Sequence, residues 1–278
     1  MNNKCDSCPS RGQCNSTPED CKPNSENILG SRNQIRNVIV VMSGKGGVGK
    51  SSVAGLLALE LARSGNRVAI LDADITGPSQ PRAFGLQGTK LQATEYGLLP
   101  VRSESGINII SINFFLEQED EPVIWRGPML AGAVTQFWNE MDWQEIDYMI
   151  VDLPPGTGDV PLTVMQSLPV NGIIIVSSPQ ELVAMVVKKT IKMAQKMAIP
   201  ILGLIENMSY AVCPHCGDKL NIFGESRGAL VAQESSIDFL GGLRWDVEFN
   251  RLVDKGLIEQ YHAPDMPIIA EQIVRKLP

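Results

Sequence analysis

The sequence predicts an α/β protein whose mostly parallel sheet is flanked by helices on both faces. Short β-branched runs, typical of strands buried on both sides, alternate with segments of helical periodicity. Such alternation implies parallel strands joined by right-handed helical crossovers. The first strand is predicted at residues 38–42. A glycine-rich turn follows, and then a helix with Val53, Leu56, Leu57 and Leu61 on one face that ends at Gly65.

The same alternation continues to the end of the chain. Further strands are predicted at Val68–Leu71, Ile107–Ile112, Tyr148–Leu153, Ile173–Val176 and Ile201–Ile205. Further helices are predicted at Met129–Met141, Leu182–Met197 and Ile268–Lys276. Residues 1–34 have few large apolar side chains and could not form a core without a metal. We therefore expect a cysteine-rich metal-binding tail at 1–34, followed by one domain at 35–278.

Composition narrows the class of protein. The 278 residues are 44% hydrophobic and 20% charged, as in ordinary globular proteins. A net charge of −7 gives no bulk electrostatic reason to coat nucleic acid or an anionic membrane. No apolar run approaches the length of a membrane span, and the first 30 residues lack the apolar centre of a signal peptide. We expect a cytoplasmic protein that binds neither nucleic acid nor a membrane.

A phosphate-binding loop is predicted at residues 44–51, where GKGGVGKS fits the pattern G-x4-G-K-S/T between a strand and a helix. The glycines let backbone N–H groups surround phosphate oxygens, and the helix dipole favours anions there. We expect Lys50 to act in catalysis at the β- and γ-phosphates of ATP, and the Ser51 hydroxyl to bind Mg²⁺. The predicted nucleotide-binding residues are Gly44, Lys45, Gly46, Gly47, Val48, Gly49, Lys50, Ser51 and Ser52.

Acidic residues follow two of the predicted strands, where ligands bind in open α/β sheets. Asp152 follows an apolar strand, so it is predicted to approach Mg²⁺, through water. For Asp72 a structural cap and a metal ligand remain equally good interpretations. Asp159 is predicted to cap the N-terminus of the helix that follows it.

Six cysteines fall into two groups. Four lie in the tail (Cys5, Cys8, Cys14, Cys21), and Cys213 and Cys216 enclose a Pro-His pair. Without a secretory signal, metal or redox chemistry is a better interpretation than disulfides. Both zinc and a [4Fe–4S] cluster need four ligands, so a two-fold dimer would have to complete the Cys213–Cys216 pair. Zinc remains an alternative there, and His215 is predicted to face solvent.

Several motifs together indicate a family. The loop with Lys45 after its first glycine resembles the deviant phosphate-binding loop of the SIMIBI class of ATPases, which includes MinD. The chain adds DADITGPS from residue 72, WRGPM from 125, DLPPGTGD from 152, ENMS from 206 and CPHC from 213, in that order. Over residues 35–278 it resembles the Mrp/ApbC family of iron–sulfur cluster carrier ATPases.

The resemblance implies a function and several residue roles. Such a carrier would form a homodimer, receive a [4Fe–4S] cluster from donor proteins, and pass it to apo-proteins as ATP hydrolysis rearranges the dimer. Lys45 would reach the partner's nucleotide, Asp74 would orient the attacking water, and Asn207 would bind the adenine edge. The tail spacing of Cys5, Cys8 and Cys14 resembles a cluster motif of eukaryotic scaffold ATPases that lacks its upstream cysteine here. Cys21 could replace that cysteine as fourth ligand.

Two other classes of ATPase remain as alternatives. An electron-transfer ATPase like the nitrogenase iron protein holds its cluster by cysteines from two separated positions, whereas a CxxC pair favours the carriers. A MinD-like positioning ATPase would end in a basic amphipathic membrane helix. The last segment, 263–278, has only Arg275 and Lys276 as cations, which disfavours that class.

Overall fold

Parallel strands form the centre of the computed structural model, which describes residues 33–278 apart from 75, 76, 78 and 116–126. Within the described residues the parallel order is β11-β9-β8-β1-β7-β2-β6, with β5 and β10 antiparallel at the margins and β3-β4 a separate hairpin. The strands are β1 Gln34–Ser43, β2 Val68–Asp72, β3 Gln92–Thr94, β4 Gly97–Leu99, β5 Val101–Arg102, β6 Asn108–Ser111, β7 Glu145–Asp152, β8 Gly172–Ser177, β9 Ile201–Val212, β10 Lys219–Leu220 and β11 Phe239–Arg244.

Helices flank this sheet, as the sequence predicts, so the expected fold class is confirmed. They are α1 Lys50–Arg63, α2 Gln80–Ala83, α3 Gly127–Glu140, α4 Asp159–Ser167, α5 Glu181–Lys196, α6 Gly228–Glu234, α7 Val247–Asp254 and α8 Met266–Val274, with short 3-10 turns at Ile112–Phe115 and Ile258–Gln260. The four apolar residues predicted on one face of α1 are all buried. Their burial against the sheet supplies the main stabilisation of that helix.

The register of the sheet brings polar residues to one edge. Asp72 at the end of β2 lies directly opposite Asp152 at the end of β7. The neighbouring strand β1 ends at Ser43, where the glycine-rich loop begins. The carboxyl ends of adjacent parallel strands therefore meet, and this edge is where α/β proteins bind ligands.

Three local expectations need correction. The strand predicted at 201–205 continues to Val212, and Cys213 and Cys216 lie in the turn of the hairpin that this longer strand forms with β10. The strand predicted to end at Ile112 ends at Ser111 and passes into a 3-10 turn. Asp159 is the first residue of α4 and Gly158 its N-cap, without a side-chain cap. The negative charge of Asp159 still interacts favourably with the positive end of the helix dipole.

None of the described helices combines the length and the apolar character that crossing a membrane requires.

Candidate functional site

The glycine-rich loop between β1 and α1 has the backbone that an anion site needs. Gly47 and Gly49 have φ of +82° and +75°, a left-handed region in which side chains are strained. A Cβ atom added to Gly49 would lie 2.2 Å from the Asn207 side-chain nitrogen. Because α1 begins at Lys50, the loop delivers unpaired N–H groups of the first helical turn to the same place.

Lys50 lies at the centre of a buried charge cluster. Its side chain is 6% exposed, and Nζ forms a short ion pair with Asp152 and lies 3.7 Å from Asp74 Oδ2. Nζ also donates to the Ser51 hydroxyl at 3.2 Å. The structure thus brings together four residues assigned from the sequence to catalysis or Mg²⁺. A hydroxyl and two carboxylates are the oxygen donors that Mg²⁺ prefers, so this donor set fits the ion.

Asp72 is fully buried beside this cluster. Its carboxylate accepts the backbone N–H groups of Asp74 and Gln80, each at 3.3 Å. Burial raises the pKa of Asp72 well above its ordinary value, the Asp152 charge raises it further, and Lys50 opposes the shift. Of the two interpretations left open by the sequence, these backbone contacts support the cap, which ties the end of β2 to the first residue of α2.

Gln80 is a site residue that sequence reasoning missed. Its side chain is almost fully buried, and Nε2 donates to Asp152 Oδ2 and to the Ser51 carbonyl, both at 3.0 Å. The amide therefore joins both predicted Mg²⁺ ligands. A single glutamine after a polar loop carries no sequence signal for such a role.

Replacing Gln80 by Ala is expected to lower kcat/KM for Mg-ATP about tenfold, since one hydrogen bond to a charged group contributes about 1.5–3 kcal/mol. Steady-state phosphate release over a Mg²⁺ titration measures the effect. The matched control is Gln136→Ala, because the Gln136 amide donates to Glu140 on an exposed helix face. Equal kinetics in the two variants would remove Gln80 from the site.

Asn207 and Lys45, which are also predicted to contact nucleotide, lie outside the buried charge cluster around Lys50. Asn207 Nδ2 donates to the Val48 carbonyl at 3.0 Å, so this side chain touches the glycine-rich loop itself. Lys45 is exposed on the same loop. Its side chain makes no hydrogen bond or ion pair with the residues that the structure describes, which leaves it accessible to a second molecule.

A small cleft lies between Asn207 and the first turns of α1. Its volume is about 20 Å³. It is lined by Ser52, Leu56, Asn207, Leu243, Arg244, Phe249, Tyr261, Ala263, Pro264 and Asp265. An apolar wall with polar groups at its rim is the usual composition of a site for a flat organic ring.

Cys213 and Cys216 close the hairpin between β9 and β10, called here the cysteine hairpin (residues 211–220). The Cys213 N–H donates to the Asp218 carbonyl, and Gly217 N–H to the Cys213 carbonyl, both at 2.9 Å. Cys213 is half-buried and Cys216 exposed, as is the intervening His215. The Cys216 thiol donates to Asp218 Oδ2 at 3.2 Å.

The backbone of the turn favours a thiolate. The N–H groups of Cys216 and His215 donate to the Cys213 sulfur and lower the pKa of its thiol. A hydrogen bond with the Cys216 side chain also lowers this pKa. Among the described residues no group of three or more His, Cys, Asp or Glu side chains could hold a metal ion. One cysteine hairpin therefore offers two thiol ligands.

The remaining metal predictions concern Cys5, Cys8, Cys14 and Cys21, which lie outside the described residues.

Comparison with known proteins identifies the family. Residues 34–277 match the family described as ParA: NUBPL iron-transfer P-loop NTPase. The chain belongs to this family. It is 42% identical over 269 residues to the iron-sulfur cluster carrier protein of Clostridium perfringens, covering 93% of this chain and 94% of that protein. It is also 42% identical to the carrier protein of Methanocaldococcus jannaschii, covering 99% and 96% respectively.

Two solved structures resemble this chain. A nucleotide-binding protein from Archaeoglobus fulgidus, solved in complex with ADP, is 44% identical with a TM-score of 0.76. That match covers 86% of this chain and 93% of the solved one. A chain of the MinC:MinD cell division protein complex of Aquifex aeolicus is 19% identical with a TM-score of 0.59, over 86% of this chain and 94% of that chain. At that identity the likeness shows the fold alone.

Proposed function

We propose that this protein is an ATP-dependent carrier that binds a [4Fe–4S] cluster and transfers it to apo-proteins. One observation carries the proposal: a hairpin presenting two thiols on a chain of the iron-transfer NTPase family that also has a phosphate-binding loop. The relatives at 42% identity are named iron-sulfur cluster carrier proteins, which supports the same reading.

The ATPase half uses the cluster around Lys50. Lys50 would stabilise charge on the transferring phosphate, and Asp74 would orient the attacking water. Ser51 and Asp152, the latter through water, would hold Mg²⁺, while Gln80 fixes the Asp152 carboxylate. Bound Mg²⁺ would neutralise negative charge on the phosphate oxygens. Asn207 would form one wall of the adenine site, where its amide can donate and accept together.

The cargo half requires a second copy of the chain. Two thiols per hairpin are half of the ligand set of a [4Fe–4S] cluster, and a two-fold axis would supply the other half. Val212, Leu220 and Ile222 beside the cysteines are 41%, 44% and 53% exposed, respectively. Exposed apolar side chains close in sequence to a thiol pair suit burial against a partner subunit. ATP hydrolysis would change how the two protomers face each other, and with it the exposure of the cluster.

The remaining parts of the proposal rest on the sequence. Cys5, Cys8, Cys14 and Cys21 would hold a second cluster within one chain. The protein would act in the cytoplasm, between cluster donor proteins and apo-acceptors, without binding nucleic acid or membranes.

The test is transfer itself. Full-length protein is reconstituted anaerobically, analysed for iron, sulfide and zinc, and incubated with an apo-ferredoxin with and without Mg-ATP. The appearance of the absorption spectrum of a [4Fe–4S] cluster on the ferredoxin would support the carrier proposal. Reduction of an acceptor that already holds its cluster, without transfer, would support the electron-transfer alternative. Zinc with no iron after anaerobic reconstitution would contradict the carrier proposal.

Lys45→Ala is expected to weaken ATP-dependent dimerisation at least about tenfold, because truncating one member of an interfacial charge pair commonly costs that much. Sedimentation velocity with a non-hydrolysable ATP analogue measures the association. Lys255→Ala, which removes another exposed lysine, is the control. Unchanged association in the Lys45 variant would make this residue a solvated loop lysine.

A further inference from the structure

Tyr210 contacts one residue near the proposed nucleotide site and one residue of the cysteine hairpin. It lies in β9 between Asn207, which touches the glycine-rich loop, and Cys213. Its hydroxyl donates to the Asp265 carboxylate, at 3.0 Å from Oδ1 and 3.2 Å from Oδ2. On the other side, Lys219 Nζ lies over the Tyr210 ring, 4.2 Å from its centroid. One half-buried side chain thus joins two elements that are distant in sequence.

Each contact belongs to a functional region. Asp265 lines the same small cleft as Asn207 and Ser52. Lys219 begins β10 and pairs with Val212, so it lies in the cysteine hairpin. The six residue steps from Asn207 to Cys213 span at most about 20 Å, and Met208, with a φ of +57°, departs from the extended backbone between them. Tyr210 provides a side-chain route over part of that distance.

The small volume of the cleft implies that its lining residues move when a nucleotide base enters. At about 20 Å³ it is far below the roughly 300 Å³ or more of ordinary ligand pockets. A base that enters must therefore displace the lining, which includes Asp265. The Tyr210 main chain is fixed by the Trp245 N–H, which donates to the Tyr210 carbonyl at 2.7 Å. Displacement of Asp265 is therefore passed on by the Tyr210 side chain rather than by its backbone.

We propose that Tyr210 is a positioning residue that couples nucleotide binding to the conformation of the cysteine hairpin. The proposal rests on the proposed function, because it takes the nucleotide base into the cleft beside Asn207. When Asp265 shifts, the hydroxyl follows its acceptor and the ring carries Lys219 with it. The hairpin, and with it the accessibility of Cys213 and Cys216, changes between the nucleotide-bound and nucleotide-free forms.

The test reads the hairpin without needing a cluster. Metal-free full-length protein is alkylated with iodoacetamide, with and without saturating Mg-ADP, and labelling at Cys213 and Cys216 is followed by peptide mass spectrometry. The readout is the ratio of the alkylation rate with Mg-ADP to the rate without it, at each cysteine. A variant that only alters the fold changes the rates in both conditions together. Couplings between sites are commonly about fivefold or larger, which sets the ratio expected for the natural protein.

Three variants separate coupling from structure. Tyr210→Phe keeps the ring and removes the hydroxyl, and Lys219→Met keeps a long side chain and removes the cation. Both are expected to bring the ratio close to one. Tyr148→Phe, a half-buried tyrosine of β7, is the matched control and should keep the ratio of the natural protein.

The outcomes are distinct for the two proposals. An unchanged ratio in Tyr210→Phe, or no effect of Mg-ADP in the natural protein, would overturn the role of Tyr210. Failure to bind iron at the hairpin would instead contradict the proposed function. Because alkylation is measured on metal-free protein, it does not depend on that second result.

Discussion

Lys50→Ala is expected to lower ATP turnover at least about a hundredfold, the usual loss when a preorganised charge at the reacting group is removed. Lys50 is the buried cation at the carboxyl ends of β2 and β7, next to Asp152 and Asp74. An alanine there would leave the transferring phosphate without the cation that we propose stabilises it. Phosphate release at saturating Mg-ATP measures the loss.

The same substitution has a cost in stability that the experiment must separate. Removing one partner of a buried ion pair commonly destabilises a protein by about 3–5 kcal/mol. Thermal unfolding should therefore accompany the kinetics, and Lys50→Met, which retains the apolar stem, serves as the second variant. Lys188→Ala is the control, because its ion pair with Glu234 is exposed. A folded Lys50 variant with the turnover of the natural protein would refute the nucleotide assignment.

Patterns local in the sequence predicted the fold and the residues around Lys50. The β-branched runs of β1, β2, β7 and β8 are buried on both faces, so hydrophobicity alone identified them. The phosphate-binding loop was readable because glycines and Lys50 must be adjacent in sequence to surround one phosphate. Asp152 was readable because it is the acidic residue at the end of an apolar strand.

Strand β11 escaped prediction because close packing replaces β-branched residues with glycine. Gly242 pairs with Glu206 of β9, and a Cβ atom there would lie 2.5 Å from the Ser209 hydroxyl. A strand that contains two adjacent glycines has no hydrophobic periodicity to detect. The outer half of β9 was missed because its mixed polar and apolar residues do not alternate. It is paired with β11 as far as Tyr210 and with β10 at Ala211 and Val212.

Contacts between distant residues were also beyond the sequence. Gln80 reaches Asp152 across 72 positions, and Tyr210 reaches Asp265 across 55. Glu206 is a third case: it is buried and accepts the N–H groups of Arg227 and Gly228 at 2.9 and 2.7 Å, which fixes the start of α6. Such pairings depend on the tertiary fold, and neither residue type nor spacing indicates them.

Substitution of the two cysteine groups is expected to give different iron contents, because the two proposed clusters divide differently among chains. A cluster held by Cys5, Cys8, Cys14 and Cys21 belongs to one chain and contributes about four iron atoms to it. A cluster shared by two cysteine hairpins contributes about two per chain. Full anaerobic reconstitution should therefore approach about six iron atoms per chain.

Serine substitution tests each term against the other. Replacing Cys213 and Cys216 should leave about four irons per chain, whereas replacing the four tail cysteines should leave about two and retain the dimer. Each variant is the control of the other, because both lose thiols and neither changes the residues around Lys50. Iron and sulfide analysis combined with light scattering gives the content and the mass. About four irons per chain in the tail variant would mean that each cysteine hairpin holds its own cluster. The two thiols of one chain would then have to be completed by ligands other than the partner's thiols. In that case the shared-cluster arrangement would be wrong.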